Sequence, residues 1–200
     1  MGREIRQPLL QKAMEFAAKK HAGQNRKGNR TIPYLTHVIE AMEIVSRMTQ
    51  DEEVRAAAVL HDTLEDTDTT KEELIREFGE RVAALVAEES EDKRKGQPAK
   101  DTWRVRKEET IRHMQEASRE VRMLALGDKL SNVRTMTRDY AVIGEELWKR
   151  FNNKNPNDHG WYYREMGKAI GADDFIRNTP EYAEYIRLCG VLFGKEGTEN

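Results

Sequence analysis

Apolar residues recur at helical spacing along nearly the whole chain. The clearest sets are Leu10, Ala13, Met14 and Ala17; Val38, Met42 and Val45; and Leu74, Phe78, Val82 and Leu85. Recurrence every three or four residues is typical of amphipathic helices that bury one face. The strict alternation that predicts strands is almost absent, so the pattern predicts an all-α protein.

Candidate helix N-caps precede three of these apolar segments. Thr36 precedes HVIEAMEIVSRM, Thr49 or Asp51 precedes EEVRAAAVLH, and Thr69 or Thr70 precedes KEELIREFG. Short polar side chains at this position accept hydrogen bonds from the backbone N–H groups that the first turn leaves without partners. We therefore expect three helices to begin at these points.

Polar segments interrupt the helical pattern and are predicted to be loops. They are residues 23–34 (GQNRKGNRTIPY), 91–101 (EDKRKGQPAKD) and 150–161 (RFNNKNPNDHGW), and the first two are rich in lysine and arginine. The terminal GKEGTEN is expected to fray. A chain of 200 residues suits one well-filled core, so we predict a single domain over residues 1–200, with its motifs between about 10 and 140 and further helices to about 190.

Composition narrows the classes of partner and compartment. The 34 basic and 36 acidic residues give a formal net charge of -2, so no overall field favours nucleic acid or an anionic membrane. No stretch approaches the roughly 18 apolar residues that a membrane span requires. The single cysteine, Cys189, cannot form an internal disulfide. We therefore expect a cytoplasmic protein with neither nucleic-acid nor membrane partners, and the oligomeric state stays open.

An acidic cluster follows an apolar run in AAAVLHDTLEDTDTT, residues 56–70. On one continuous helix, His61, Asp62, Glu65 and Asp66 would fall within roughly 140° of arc. Three carboxylates on one side repel one another unless a positive group is bound. A solvated helix end with neighbouring lysines is the alternative interpretation of such a run.

Two distant residues favour a metal site over that alternative. His37 lies in PYLTHVIEA, and Asp128 closes the apolar run VRMLAL, where a lone carboxylate needs a cation or several donors. Together with His61 and Asp62 they offer two imidazoles and two carboxylates. This mixed donor set suits Mn²⁺, Fe²⁺ or Zn²⁺ better than Ca²⁺.

These residues make the chain resemble the HD-domain phosphohydrolases, in which a histidine, a later His-Asp pair and a distant aspartate hold a divalent metal. RKGNRTIPYLTH, HDTLEDTDTT, EFGERVAALV and LGDKLSNVRTM are more narrowly similar to the hydrolase domain of the RelA/SpoT family. They resemble especially its single-domain members, the small alarmone hydrolases, which include a metazoan SpoT homologue. The HDxxED core is more specific than His-Asp alone, because general HD proteins lack the Glu-Asp pair.

The resemblance implies an all-α HD-domain helical bundle with a metal site among its inner helices. It implies a hydrolase that removes the 3′-pyrophosphate of ppGpp or pppGpp to leave GDP or GTP. The implied ligands of one Mn²⁺, or another divalent ion, are His37, His61, Asp62 and Asp128. Glu65 and Asp66 would orient or deprotonate the attacking water, as the family's acid pair does.

The resemblance also implies a set of nucleotide contacts. Arg26 and Lys27 match the family's Arg-Lys pair, and Asn132 and Thr135 match its nucleotide-facing positions. Tyr163 is preferred over Tyr162 as the contacting tyrosine. In the second loop, Lys93, Arg94 and Lys95 are candidate phosphate contacts. Long family members have histidine where this chain has Ser131, and the 150–161 segment has no clear counterpart.

Three alternatives stay open at the level of sequence. One is hydrolysis of another nucleotide, such as an adenine alarmone or NADPH. The second is a general HD nucleotidase or phosphodiesterase, against which Glu65-Asp66 and Arg26-Lys27 argue. The third is a metal-stabilised module that senses a nucleotide without cleaving it, against which the intact acid pair argues.

Overall fold

The computed structural model describes residues 8–28, 31–91, 94, 96 and 98–194. Within these ranges the chain is helical, and an isolated bridge between Asn25 and Pro33 is the sole β-type pairing there. The helices are α1 (Leu9–Lys20), α2 (Leu35–Met48), α3 (Glu52–Leu60), α4 (Thr63–Asp66), α5 (Lys71–Phe78), α6 (Glu80–Glu89), α7 (Ala99–Glu116), α8 (Arg119–Ile143), α9 (Pro156–Ile170), α10 (Asp174–Arg177), α11 (Pro180–Phe193) and the 3₁₀ helix Gly144–Arg150. The all-α prediction is confirmed.

Helices α2, α3 and α8 form the inner part of the bundle. The second half of α3, residues 56–60, is buried on every side. Helices α1, α2 and α6 pack around α3, and α11 and α9 cover α8, with α7 against α9. None of the helices in the described ranges is long and apolar enough to cross a membrane.

Two of the three predicted N-caps are observed. Asp51 Oδ1 accepts from the Glu53 amide at 3.0 Å and caps α3, and Thr70 Oγ1 accepts from the Glu73 amide at 3.2 Å and caps α5. The prediction for Thr36 is wrong. Helix α2 already begins at Leu35, and the Thr36 hydroxyl donates back to the Pro33 carbonyl at 2.8 Å.

The predicted loops are shorter than the sequence suggests. Helix α7 begins at Ala99, and α9 begins at Pro156 with the Asn155 side chain as its N-cap, so the loop prediction for 150–161 is wrong beyond Asn155. Proline is favoured in the first helical turn, since its missing N–H would have no partner there. Lys93, Lys95 and residues 195–200 lie outside the described residues.

The expected continuous helix through the acidic cluster is interrupted. Helix α3 ends at Leu60, a turn carries His61 and Asp62, and α4 begins at Thr63. Side chains take up the last carbonyls of α3: His61 Nδ1 lies 2.8 Å from the Ala58 oxygen, and Thr63 Oγ1 donates to the Leu60 oxygen at 2.7 Å. Such side-chain bonds compete with the helical backbone pattern and explain the break.

Close approach of α2 and α8 requires a glycine at position 127. A Cβ there would lie 2.8 Å from the Ala41 carbonyl oxygen and 2.9 Å from Val45 Cγ2. We expect Gly127→Ala to destabilise the protein by about 1–3 kcal/mol, because backbone must move apart. Gly190→Ala on α11, where the new Cβ meets nothing within 4 Å, is the matched control and should leave stability unchanged or slightly raised. Thermal unfolding measures both, and equal midpoints for the two variants would contradict this packing.

Candidate active site

The four predicted metal ligands meet where α2, the turn after α3, and α8 converge. His37 Nε2 lies 3.1 Å from Asp128 Oδ1 and 3.5 Å from Asp62 Oδ2. His61 Nε2 lies 3.0 Å from Asp62 Oδ2 and 3.7 Å from Asp128 Oδ1. Two ring nitrogens and two carboxylate oxygens, from residues distant in sequence, therefore surround one small volume.

Both histidines direct their Nε2 atoms at this volume. His61 Nδ1 faces the Ala58 carbonyl, which can only accept, so Nδ1 carries the proton. His37 Nδ1 bonds Ser131 Oγ at 2.8 Å. Both Nε2 atoms are buried and have no hydrogen-bond partner. Buried imidazole nitrogens beside two carboxylates are a suitable donor set for a divalent cation, and His37, His61 and Asp128 alone already satisfy the spacing of a metal site.

Electrostatics supports the same conclusion. Burial disfavours charge on His61, but Asp62 and Asp128 outweigh it and hold the pKa of His61 well above its ordinary value. Burial likewise opposes ionisation of Asp62, yet His61 and His37 hold the pKa of Asp62 well below its usual range. The two carboxylates are thus stabilised by positive charge between them, which a divalent cation would supply.

Tyr34 and Lys129 each bond one of the two carboxylates, and sequence reasoning missed both residues. Tyr34 Oη donates to Asp62 Oδ2 at 2.5 Å, and burial followed by the Asp62 charge raises the pKa of Tyr34, so the phenol stays a donor. Lys129 Nζ bonds Asp128 Oδ2 and lies 3.4 Å from Glu89 Oε1. Tyr34 lies in the PYLTH segment and Lys129 in the DKLSN segment, next to predicted metal ligands in the sequence. This proximity is the sequence feature from which both could have been predicted.

Glu65 and Asp66, the acid pair, line an open cavity of about 390 Å³. This cavity adjoins the four predicted metal ligands, which are called the ligand cluster below. Glu65 Oε1 accepts a hydrogen bond from the Glu91 amide at 2.7 Å, which fixes the position of that carboxylate. Asp66 Oδ2 lies 3.4 Å from Tyr34 Oη. Asp62 and Asp128 line the same cavity, so the acid pair and two of the four predicted ligands border one space.

Helix α7 brings cations to this cavity. Arg106 and Lys107 line it, and both bond the Glu91 carboxylate, Lys107 at 2.7 Å. Burial raises the pKa of Glu91, but the charges of Lys107 and Arg106 outweigh this effect and hold that pKa below its ordinary value. Arg94, the described basic residue of the loop between α6 and α7, instead bonds Glu109. Sequence reasoning placed the cations of this region in the loop and missed α7.

A second cavity of about 650 Å³ adjoins the first and contains the other predicted nucleotide contacts. Arg26, Lys27, Asn132, Thr135 and Tyr163 all line it. Arg26 Nη2 donates to Asn132 Oδ1 at 2.9 Å, and Asn132 Nδ2 in turn donates to Asp128 Oδ1 at 2.5 Å. Tyr163 lines both cavities. The structure therefore brings these five residues together beside the cluster.

Comparison with known proteins agrees with this arrangement. A family model described as HD domain matches residues 13–156. Two curated relatives named guanosine-3′,5′-bis(diphosphate) 3′-pyrophosphohydrolase MESH1 are 38% identical: that of Danio rerio over 65% of this chain and 70% of its own, and that of Homo sapiens over 69% and 74%. A pyrophosphohydrolase of Aquifex aeolicus is 39% identical over 64% of this chain but only 18% of its own.

Solved structures show the same relation. One, described as "A metazoan ortholog of SpoT hydrolyzes ppGpp and plays a role in starvation responses", superposes with a TM-score of 0.72 at 26% identity, covering 95% of this chain and all of that one. The chain belongs to the HD-domain family, and within it to the branch that contains the MESH1 pyrophosphohydrolases. The predicted membership of this family, and with it the prediction of a hydrolase, is confirmed.

Proposed function

We propose that the protein is a Mn²⁺-dependent (p)ppGpp 3′-pyrophosphohydrolase that releases GDP or GTP and intact pyrophosphate. The observation that carries this proposal is the convergence of four ligand atoms at the wall of a cavity that also contains Glu65 and Asp66. The activity for which the MESH1 relatives are named supports the choice of substrate.

His37, His61, Asp62 and Asp128 would hold the metal. A bound divalent cation would supply Lewis-acid chemistry that offsets charge on phosphate oxygens and makes water a better nucleophile. The donor set of two imidazoles and two carboxylates suits Mn²⁺. Tyr34, through its bond to Asp62 Oδ2, and Lys129, through its bond to Asp128 Oδ2, would keep the two carboxylates oriented toward the histidines.

Glu65 is the proposed general base. The Glu91 amide fixes one of its oxygens, so the carboxylate meets an incoming water in a defined position. Asp66, held near the Tyr34 hydroxyl, would help orient the same water. Arg106 and Lys107 of α7 bond the side chain of Glu91, whose amide holds Glu65. The position of the proposed base therefore depends on α7 as well as on α4.

The two cavities suggest how the nucleotide lies. The first, with Lys107 and Lys129 beside the ligand cluster, would take the scissile 3′-diphosphate. The second would take the nucleoside, with the Arg26 guanidinium available to stack on a purine and Tyr163 at the junction. Holding both parts would place one 3′ linkage in line with the attacking water.

Arg26 provides a test of the nucleoside cavity. We expect Arg26→Ala to raise KM with little change in kcat and with metal retained, since its contact is made in both the ground and the transition state. Arg119→Ala, which removes an exposed arginine paired with Asp173, is the control and should change neither constant. Steady-state kinetics of ppGpp hydrolysis measures both, and an unchanged KM for Arg26→Ala would place that residue outside the binding site.

The products test the reaction itself. Purified protein with Mn²⁺ should convert ppGpp to GDP and pyrophosphate, and ¹⁸O-labelled water with mass analysis should reveal which bond is cleaved. Orthophosphate as the primary product, without pyrophosphate, would contradict the proposed reaction. Parallel assays with pppApp, NADPH, GMP and cyclic nucleotides would show whether another nucleotide is preferred.

The proposal treats residues 1–200 as one catalytic domain. Packing of α9 and α11 against α8 supports this, because the C-terminal helices cover the helix that carries Asp128. A cytoplasmic location is part of the proposal and agrees with the free, buried Cys189.

A further inference from the structure

We propose that Ser131 and Glu40 form a hydrogen-bonded relay that fixes His37 as a metal ligand, which makes both of them positioning residues. The inference rests on the proposed metal site and adds two residues to it that lie outside the ligand set. Neither contacts the cavity that would hold the scissile phosphate.

The relay joins α2 and α8 through three side chains. His37 Nδ1 lies 2.8 Å from Ser131 Oγ, and that hydroxyl donates to Glu40 Oε2 at 2.7 Å. An ionised carboxylate can only accept, so the hydroxyl proton points to Glu40 and the oxygen accepts the Nδ1–H of His37. This order of donors leaves Nε2 as the ring nitrogen directed at Asp62 and Asp128.

The two histidines are fixed in different ways. His61 donates to a backbone carbonyl three residues earlier, which any sequence would supply. His37 depends on a side chain 94 residues away, and Ser131 is 0% exposed, so bulk water has no direct access to replace the hydroxyl. A ligand histidine whose second nitrogen has a firm acceptor is better oriented and more basic toward a metal.

The outer end of the relay is also anchored. Glu40 Oε1 accepts from Arg134 Nη1 at 3.2 Å, and Arg134 forks onto Glu184 of α11 at 2.9 and 2.6 Å. The two bonds to Glu184 fix the Arg134 guanidinium, and its bond to Glu40 keeps that carboxylate directed at Ser131. The ion pair between Arg134 of α8 and Glu184 of α11 is therefore connected to His37 through Glu40 and Ser131.

Metal titration of the metal-free protein tests the relay without any nucleotide. With Mn²⁺ alone, we expect Ser131→Ala to weaken binding about 10–100-fold and Glu40→Gln to weaken it by a smaller factor. Ser46→Ala and Glu43→Gln are matched controls on α2: Ser46 bonds the Met42 carbonyl, and Glu43 pairs with Arg47. Both controls should bind Mn²⁺ as the unaltered protein does.

A spectroscopic measurement separates orientation from general destabilisation. Long-range ¹H–¹⁵N spectra should show a proton on His37 Nδ1, held by Ser131, and Ser131→Ala should shift the Nδ1 and Hδ1 signals of His37. The signals of His61 should not change, because its partner is a backbone carbonyl. A mutation that merely loosened the fold would affect both histidines.

The outcomes distinguish the relay from the site. Failure of the unaltered protein to bind Mn²⁺ would overturn the metal site and the relay with it. Normal binding in both Ser131→Ala and Glu40→Gln would overturn the relay alone. If Ser131→Ala does not fold, the partly exposed Glu40→Gln decides: weaker binding supports the relay, and unchanged binding refutes it.

Discussion

Replacement of Asp62 by asparagine should abolish metal binding and hydrolysis together. Asp62 Oδ2 lies within 3.5 Å of Nε2 of both histidines proposed as ligands, and the amide keeps the shape of the side chain while removing its charge. Loss of a residue that contacts the metal should exceed the 10–100-fold effect of an outer residue, so we expect Mn²⁺ affinity to fall by more than about 100-fold. Elemental analysis and ppGpp turnover, measured on the same preparation, check the two losses.

Asp68→Asn is the matched control for this variant. Asp68 belongs to the same acidic segment, but its side chain is 87% exposed and pairs with Lys20 at the surface. An exposed pair of this kind contributes little to stability, so metal content and turnover should stay as they are. Full metal occupancy in Asp62→Asn would remove Asp62 from the ligand set.

Glu65→Gln should separate metal binding from chemistry. The amide can still accept from the Glu91 N–H, so the local structure is retained, but it cannot take a proton from water. Loss of a general base costs about 10²–10⁴-fold in turnover, and we expect a fall in kcat of this size with Mn²⁺ content unchanged. Single-turnover kinetics and metal analysis measure the two quantities.

Glu72→Gln provides the comparison, because Glu72 is an exposed acid in the first turn of α5. Turnover in this variant should match that of the unaltered protein. Normal kcat in Glu65→Gln would assign proton removal to another group, with Asp66 as the next candidate. Loss of metal in Glu65→Gln would instead assign Glu65 to the metal.

Local sequence determined much of the secondary structure. Apolar spacing indicated the helices, and the buried half of α3 follows from an unbroken run of small and aliphatic residues, AAAVL. Asp51 and Thr70 indicated two helix starts, because a cap acts on amides only two or three positions away. The break between α3 and α4 was not predicted, since side-chain bonds of His61 and Thr63 replaced the helical pattern there.

The sequence by itself determined the helical class and indicated the ligand set, because residue type and short spacing carry that information. Only the tertiary structure decided which basic side chains line the cavity and which residues hydrogen-bond the predicted metal ligands. Arg106 and Lys107 come from α7 and not from the predicted loop, and Ser131 meets His37 across 94 residues of chain. Periodicity reports which face of a helix is buried, whereas contacts of this kind depend on how the helices dock against one another.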